Sequence, residues 1–278
     1  MKTATVPSRG LLSHGLSSLA ALGCALSGFA PVSATAESVD SELLILVDAS
    51  RTGLRNGEFS ALLEGYSNAL TSSEVLDSIA SGATGKIAVS LSFFNTRRNE
   101  SAGIPWMVIG SAAEAQAFAT GLQNLSRPRS GSFRYQQALE QSLLSFGTET
   151  GGPIDNGFQS AVQIVEVAGA RRLPGNVAGA TDQALAQGVD MIGATVVGRR
   201  SGRLDSYYAD NVIGGGVGDV VASVSSSPVG AGLADVLEDQ LSYSVGGGAI
   251  SSVPEPSSAI LAFSSMGMFF LFGRKRRA

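Results

Sequence analysis

Short apolar segments alternate with longer amphipathic ones from Ser41 onward, and this alternation limits the folds that the chain can adopt. Leu43–Val47 is a continuous apolar run, as expected of a strand that is buried on both faces of a parallel sheet. Glu58–Ile79, which follows it, carries apolar residues at helical spacing. Strands that alternate with helices predict an α/β fold with a doubly wound, mostly parallel sheet flanked by helices, in which ligands bind at the carboxyl ends of the strands.

The same patterns predict the other elements of a single domain over residues 37–243. Further strands are predicted at Lys86–Phe94, Pro105–Ile109, Ala161–Val167, Met191–Val197 and Asp219–Val224. Further helices are predicted at Ala112–Leu125, Tyr135–Phe146, Thr181–Gln187, Leu204–Asn211 and Gly232–Tyr243. The glycines of Gly214–Gly218 indicate a turn into the last strand, and residues 244–252, rich in Gly and Ser, indicate a flexible linker.

The first 36 residues have the pattern of a secretory signal peptide. Two basic residues, Lys2 and Arg9, precede a mainly apolar stretch over residues 11–32 that has no acidic residue, and Ala34-Thr35-Ala36 is a small-x-small cleavage site. Cleavage is therefore expected after Ala36. A retained membrane helix and a lipoprotein signal that ends at Cys24 are the alternatives.

Residues 253–278 have the pattern of a second export signal. Val253-Pro254-Glu255-Pro256 is followed by an apolar span, residues 257–273, and by the basic cluster Arg274-Lys275-Arg276-Arg277. Such a span is near the lower limit for crossing a bilayer, and the basic cluster would stay on the cytoplasmic side. The arrangement resembles the PEP-CTERM sorting signal, which implies recognition by an exosortase, cleavage near the motif, and release or anchoring at the cell surface, often alongside exopolysaccharide. A simple C-terminal membrane anchor is the alternative, and both interpretations place residues 37–252 outside the cytoplasm.

Removal of the signal peptide would remove the only histidine, His14, and the only cysteine, Cys24. The remaining chain would have no Ser-His-Asp triad, no cysteine nucleophile, no disulfide, and no zinc, haem or iron–sulfur site built on those residues. Six of the 19 basic residues lie in the terminal signals, so residues 37–256 keep 13 basic residues against 23 acidic ones, a net charge of −10. Such a domain would repel a phosphate backbone, so no nucleic-acid partner is expected.

The strand at Leu43–Val47 runs into Asp48-Ala49-Ser50-Arg51-Thr52. At this point the sequence resembles the von Willebrand factor type A domain, whose first strand ends in an Asp-x-Ser-x-Ser motif. The order of the later segments is similar to that of an exported bacterial type A-like family of unknown function. The resemblance implies a metal-ion-dependent adhesion site in which Asp48, Ser50 and Thr52 ligate Mg²⁺ or another divalent cation through oxygen atoms.

Two further ligand positions of that family carry other residues here. The threonine position falls on Phe133, which cannot ligate, and the neighbouring Ser132 would offer its hydroxyl only if the loop shifted. The carboxylate position falls on Ala170, which is followed by Arg171 and Arg172. The resemblance therefore implies a degenerate adhesion site with no tightly bound metal and no other cofactor.

The arginines near this site provide a second argument against a bound cation. Two unit charges about 4 Å apart interact by roughly 4 kcal/mol at an effective dielectric constant near 20, so an arginine that points inward would oppose a divalent ion. We hypothesise that Arg171 or Arg51 occupies the vacated position and pairs with Asp48 through its guanidinium group. The alternative is that both arginines are solvated on flexible loops.

Together these features favour an exported, non-catalytic binding or structural protein of the cell surface or extracellular matrix. Its expected partners are signal peptidase and an exosortase during processing, and an unknown surface protein or exopolysaccharide afterwards. A divalent-cation-dependent adhesion module is the first alternative. The second is a polysaccharide hydrolase that uses Asp48 and Glu166 as its carboxylate pair. Glu166 lies inside an apolar strand, however, and a buried hydrogen-bonding role explains it better.

Overall fold

A central sheet with helices on both faces forms the part of the chain that the computed structural model describes, residues 36–153, 155–198, 201–217, 220–221, 224–227 and 232–246. The strands are β1 (Glu37–Ser38), β2 (Ser41–Asp48), β3 (Ile87–Phe94), β4 (Ala102–Ile109), β5 (Phe158–Gln159), β6 (Gln163–Gly169), β7 (Met191–Val197), β8 (Gly214–Val217), β9 (Val220–Val221) and β10 (Val224–Ser227). The helices are α1 (Asn56–Leu70), α2 (Ser73–Ala80), α3 (Ala112–Asn124), α4 (Tyr135–Ser145), α5 (Val177–Ala186), α6 (Asp205–Asn211) and α7 (Leu233–Val245).

The main sheet has the strand order β4-β3-β2-β6-β7-β8-β9, and β10 also pairs with β7. Strands β2, β3, β6, β7 and β10 are parallel to one another, whereas β4 and β8 are antiparallel to their neighbours. The order starts at β2 in the centre and extends to both sides, which is the arrangement of a doubly wound sheet. The predicted fold class is confirmed.

Side chains of β2 alternate between two apolar layers, because successive residues of a strand point to opposite faces of the sheet. Leu43, Ile45 and Val47 lie in the layer beneath α1, α2, α3 and α7. Leu44 and Leu46 lie in the layer beneath α4, α5 and α6. Both faces of the central strand are buried, which explains the continuous apolar run in its sequence.

The chain between β2 and β3 forms two helices where the sequence predicted one, Glu58–Ile79. Helix α1 ends at Leu70, and the Ser72 hydroxyl accepts a hydrogen bond from the backbone N–H of Val75 at 3.2 Å, so it caps α2. Serine favours such a capping position over a helix interior, because its hydroxyl bonds the free N–H groups of the first turn. The prediction of one continuous helix was wrong at this point.

The predicted turn at Gly214–Gly218 contains strand β8. Gly214 pairs with Ile192 and Gly215 with Met191 in antiparallel register. Gly215 has a φ of +78°, and a β-carbon there would collide with the carbonyl of Asp190. The glycine therefore allows the strand to approach β7 closely, which a turn assignment did not anticipate.

Other boundaries differ by a few residues from those predicted. Strand β6 begins two residues later than its predicted start at Ala161, and α5 begins at Val177 where Thr181 was predicted. Within the predicted strand Asp219–Val224, Val220–Val221 form β9 and Val224 begins β10, while residues 219, 222 and 223 lie outside the described residues. Helix α7 continues through Ser244 and Val245, two residues into the predicted linker.

Both terminal signals predicted from the sequence, residues 1–36 and 253–278, lie almost wholly outside the described residues. Among the residues that are described, no helix combines the length and the apolar character needed to cross a bilayer.

Candidate functional site

Asp48 is the last residue of β2 and lies at the carboxyl edge of the parallel strands, with its side chain fully buried. Its Oδ1 atom accepts a hydrogen bond of 2.8 Å from the backbone N–H of Ser50 and one of 2.9 Å from the side-chain amide of Asn95. Its Oδ2 atom faces the Nε of Arg171 at 3.4 Å. A buried carboxylate is costly unless it is paired and hydrogen-bonded, and Asp48 meets both requirements.

Asn95 directly follows β3, and Asp48 ends the neighbouring strand β2, so the sheet places the two side chains next to each other. Its backbone has a φ of 57°, the left-handed region that Asn tolerates better than most residues. Its N–H donates to the carbonyl of Phe133 at 2.6 Å, and its own carbonyl accepts from Gly131 at 3.0 Å. Asn95 thereby ties the loop before α4 to the end of β3 and also supports the Asp48 carboxylate.

Arg171 follows the end of β6 and is the arginine that reaches Asp48. About a third of its side chain is exposed, at 29%, whereas that of Asp48 is not exposed at all. The buried Tyr208 of α6 donates its hydroxyl proton to the backbone carbonyl of Arg171 at 3.0 Å and so holds the loop in place. Of the two arginines proposed to pair with Asp48, the structure brings Arg171 to it.

The Ser50 hydroxyl is buried and has no hydrogen-bond partner in the described part of the chain. A β-carbon at Gly53 would lie 3.0 Å from Asp48 Oδ2, 3.1 Å from Ser50 Oγ and 3.4 Å from Arg171 Cδ. These three side chains therefore surround one small space. An ion held by Asp48 and Ser50 would have to share this space with the side chain of Arg171.

The other expected ligand positions do not complete a cation site. Thr52 is exposed, and Phe133 is buried in the apolar layer that also holds Phe94 and Tyr135. Ala170 packs against the opposite apolar layer and offers no side-chain oxygen. A hard cation takes six or more oxygen ligands, and of the ligand positions that the resemblance implies, Asp48 and Ser50 face this space. The implied set of side-chain ligands is therefore incomplete in the described residues.

Arg51 lies on the loop between β2 and α1 and is exposed. It lines a groove of about 530 Å³ between α1 and the end of α3, together with Phe59, Leu63 and Arg127. The guanidinium of Arg127 donates to the backbone carbonyls of Leu54 at 2.6 Å and Arg55 at 3.2 Å. Burial, and then the nearby positive charge of Arg51, lower the pKa of Arg127. Two arginines therefore stand close together beside the Asp48 site.

Glu166 lies in the middle of β6 and is fully buried. Its carboxylate accepts hydrogen bonds from the Thr195 hydroxyl at 2.9 Å and from the Gln240 amide at 3.3 Å. Burial raises the pKa of Glu166 from 4.5 to about 8, partly offset by these two hydrogen bonds. This is the buried hydrogen-bonding role that its position in an apolar strand predicted.

Asp48 and Glu166 do not face a common space. Glu166 is in register with Ile45, three residues before Asp48, which is about 10 Å along the strand. An odd number of residues also turns the two side chains to opposite faces of the sheet. A glycosidase places its carboxylates on either side of one glycosidic bond, and these two residues are not arranged in that way.

Asn95 and Tyr208 contribute to this site, and neither was identified as a site residue from the sequence. One signal was available for Asn95, because a polar residue directly after a buried strand lies at the same sheet edge as Asp48. No comparable signal existed for Tyr208, since its hydroxyl contacts a backbone carbonyl that any residue at position 171 would provide.

Replacing Asn95 with alanine is expected to lower the free energy of unfolding by about 2–3 kcal/mol, because a buried hydrogen bond to a carboxylate is lost and alanine is strained at positive φ. Asn95→Gly is the matched control, since it loses the same hydrogen bond without that strain, and its loss should be smaller by about 1 kcal/mol. Urea denaturation measures both variants. Equal losses would show that the left-handed backbone contributes nothing.

Comparisons with solved structures found chains of low sequence identity. One is the pilus adhesin SpaC from Lactobacillus rhamnosus GG, at 13% identity and a TM-score of 0.43, covering 76% of this chain and 31% of the adhesin. Another is proximal thread matrix protein 1 from the mussel byssus, at 14% identity and a TM-score of 0.47, covering 76% of this chain and 49% of that protein. A further structure of the mussel protein has a MIDAS motif occupied by zinc, with 13% identity and a TM-score of 0.45. This chain thus spans less than half the length of these structures.

No curated protein matches the sequence. A family model described as "Protein of unknown function (DUF1194)" matches residues 38–227, from just before β2 to the end of β10. This match covers more than half of the chain and includes all the residues around Asp48. The chain therefore belongs to the DUF1194 family of proteins of unknown function.

Proposed function

We propose that this protein is an exported, non-catalytic binding protein of the cell surface or extracellular matrix, built on a type A-like domain whose cation site is degenerate. The contact of Arg171 with the buried Asp48 carboxylate carries this proposal. In a cation-dependent site that carboxylate would face the ion. Here the guanidinium of Arg171 supplies the positive charge, and this ion pair joins the loops after β2 and β6.

Within the described residues no catalytic group is assembled at this edge, which supports a binding role. The buried carboxylates of Asp48 and Glu166 point to opposite faces, and the Ser50 hydroxyl has no hydrogen-bond partner in the described part of the chain. Among the described residues, no group of three or more His, Cys, Asp or Glu side chains is placed to hold a metal ion. A ligand at this edge would therefore meet the arginine side chains around Asp48, whose carboxylate is buried and already paired with Arg171.

Calorimetric titration of Mg²⁺, Mn²⁺ and Ca²⁺ into the full chain tests the state of the cation site. We expect no binding in the micromolar range, because the guanidinium of Arg171 opposes a divalent ion and the oxygen ligands are too few. Micromolar binding that Asp48→Ala abolishes would overturn the degenerate site and favour the cation-dependent adhesion module.

A restored variant provides the matched positive control. Arg171→Asp places a carboxylate on the loop position whose side chain faces Asp48 and removes the opposing charge. This variant is expected to bind Mn²⁺ more tightly than the wild-type chain does. The variant Arg171→Ala separates the two contributions, since it removes the positive charge without adding an oxygen ligand.

Export is proposed from the sequence signals at both ends of the chain. Mass spectrometry of the protein from the producing cells, fractionated into cytoplasm, membrane and medium, tests it. We expect a mature chain that begins at Glu37, outside the cytoplasm, and that is shortened near Pro254-Glu255-Pro256 if an exosortase acts. A chain that keeps Met1 and remains in the cytoplasm would contradict export.

A further inference from the structure

All ten arginines within the described residues lie at one edge of the sheet, the edge formed by the carboxyl ends of the parallel strands. They are on the loops after β2, β3, β6 and β7 and on the loop between α3 and α4, which pairs with the end of β3 through Thr96. We name this surface the arginine edge. Its residues are Arg51, Arg55, Arg97, Arg98, Arg127, Arg129, Arg134, Arg171, Arg172 and Arg203.

The opposite edge of the sheet has the opposite charge. Acidic residues lie before the parallel strands and on the loops and helix ends beside them, and the one lysine of the described residues, Lys86, pairs with Glu37 there. The exposed or half-buried acidic residues of this edge are Glu37, Asp40, Glu74, Asp77, Glu114, Glu149, Asp155 and Asp190. The domain is acidic as a whole, so the concentration of arginine at one edge is not a consequence of composition.

Most of the positive charge at the arginine edge has no carboxylate partner. Among the described residues, Arg129 pairs with Glu100 and Arg171 pairs with Asp48. The exposed side chains of Arg51, Arg97, Arg98 and Arg203 make no hydrogen bond or ion pair within the described part of the chain. Unpaired guanidinium groups that lie where a doubly wound sheet binds ligands point to an anionic ligand.

The groove between α1 and α3 gives this edge a concave site. Arg51 and Arg127 lie beside it, Phe59 and Leu63 form apolar parts of its wall, and Asn56 is among its polar lining residues. The Nε atom of Arg127 is buried and without a hydrogen-bond partner in the described residues. Glu64 is the one acidic residue that lines the groove, so the two arginines leave the lining with a net positive charge. A groove of about 530 Å³ with this net charge, amide groups and an apolar wall has the size and chemistry to hold one or two acidic sugar rings.

We propose that the arginine edge binds an anionic polysaccharide made of carboxylated sugars, with one acidic sugar seated in the groove and neighbouring carboxylates on the exposed arginines. Arginine suits this ligand because its planar fork engages a carboxylate through two hydrogen bonds. The proposal rests on the binding role proposed above, and it is independent of whether Asp48 holds a metal.

The surface fits such a polymer better than it fits a nucleic acid. Single-stranded nucleic acids bind on aromatic platforms that stack with the bases. The Tyr207 ring at this edge lies under the guanidinium of Arg172, at 5.2 Å, and its hydroxyl is bonded to the backbone of Leu173. Tyr243, the exposed large aromatic residue of the described part, is near the end of α7, which contacts α2 at the acidic edge. A nucleic-acid duplex carries a dense negative charge on its phosphates, which a domain of net negative charge would repel.

Titration of the full chain with polygalacturonate in the presence of EDTA tests the proposal. EDTA removes divalent cations, so binding cannot depend on the Asp48 site. We expect binding that weakens as salt concentration rises, because exposed charge pairs are screened. Fully methyl-esterified polygalacturonate has the same backbone without the carboxylates and should bind at least about tenfold more weakly, as should duplex DNA of equal charge.

Variants at the two edges separate the arginine edge from the rest of the surface. Arg97→Ser combined with Arg98→Ser is expected to weaken polygalacturonate binding about tenfold, and Arg51→Ser should weaken binding of a short oligomer that fills the groove. Lys86→Ser, which removes a positive charge from the opposite edge, should change the affinity less than twofold. Unchanged melting temperatures of the exposed-arginine variants show that the fold is intact.

Three results would overturn the inference. The first is no binding of polygalacturonate, or equal binding of its methyl ester. The second is equal or tighter binding of DNA, which would make nucleic acid the partner. The third is a salt-sensitive self-association that Arg97→Ser with Arg98→Ser abolishes, which would show that the arginine edge binds the acidic edge of a second copy. None of these results changes the outcome of the metal titration, so the two proposals fail separately.

Discussion

Replacing Glu166 with glutamine is expected to stabilise the protein by about 4 kcal/mol above pH 8 and to leave its stability unchanged near pH 4. The buried carboxyl group has a pKa of about 8 in the folded protein, against 4.5 when it is unperturbed, mainly because burial disfavours the charged form. Glutamine has nearly the same shape, can bond to Thr195 and Gln240, and never ionises.

The sign follows from where the proton is held. Between pH 4.5 and about 8 the folded protein keeps the proton on Glu166 while the unfolded chain has released it. The stabilising contribution of this group is therefore complete below pH 4.5, declines as the pH rises, and is lost once the pH passes about 8. The glutamine variant lacks this decline, so the difference between the two proteins grows over that interval.

Urea denaturation of both proteins from pH 4 to pH 9 measures the effect. Glu42→Gln is a useful comparison, because burial also raises the pKa of Glu42, to about 7, while the hydrogen bonds from Asn156 and Ser160 oppose the rise. The difference in stability between the wild-type and Glu42→Gln proteins should level off about one pH unit lower than the difference for Glu166→Gln. Parallel stability curves for the wild-type and Glu166→Gln proteins would show that Glu166 ionises normally inside the fold.

Replacing Asp48 with alanine is expected to destabilise the protein by about 3 kcal/mol, since it leaves Arg171, the Asn95 amide and the Ser50 N–H without their common acceptor. Three loops meet at this carboxylate, so its loss affects the ends of β2, β3 and β6 together. Chemical denaturation at neutral pH, in the presence of EDTA, measures the loss without any contribution from metal ions.

A double-mutant cycle isolates the pairing of Asp48 with Arg171. Asp48→Asn and Arg171→Met keep the approximate size of each side chain and remove its charge. The coupling energy between them is expected to be about 1–2 kcal/mol, less than for a fully buried pair because Arg171 is 29% exposed. The matched cycle of Asp48→Asn with Arg51→Met should give a coupling near zero. Equal coupling in the two cycles would contradict the specific role of Arg171.

The fold could be predicted from the sequence because burial on both faces leaves a clear pattern. Leu43–Val47 is apolar throughout and Met191–Val197 is apolar except for Thr195, and each lies within or coincides with a central strand of the sheet. The predictions failed where local hydrogen bonding decided the structure. The hydroxyl of Ser72 begins a new helix, and the glycines at 214 and 215 form a strand that needs no side chains.

The candidate site could be predicted only in part, since a sequence shows which residues follow a strand and not how far their side chains reach. The position of Asp48 and the buried role of Glu166 follow from the strand pattern. The choice between Arg51 and Arg171 did not, because it depends on the loop that the Tyr208 hydroxyl holds. The clustering of the arginines at one edge becomes visible only when the strand ends are placed in space.

Helix α7 begins after the family match ends, yet it completes the apolar layer over α1 and α2. Leu233, Leu237 and Leu241 are all buried, and a β-carbon at Gly65 of α1 would lie 2.7 Å from a methyl group of Leu237. The unit that folds must therefore extend to Val245 at least. It also follows that any tension applied to the chain beyond Val245 would reach the rest of the domain through α7.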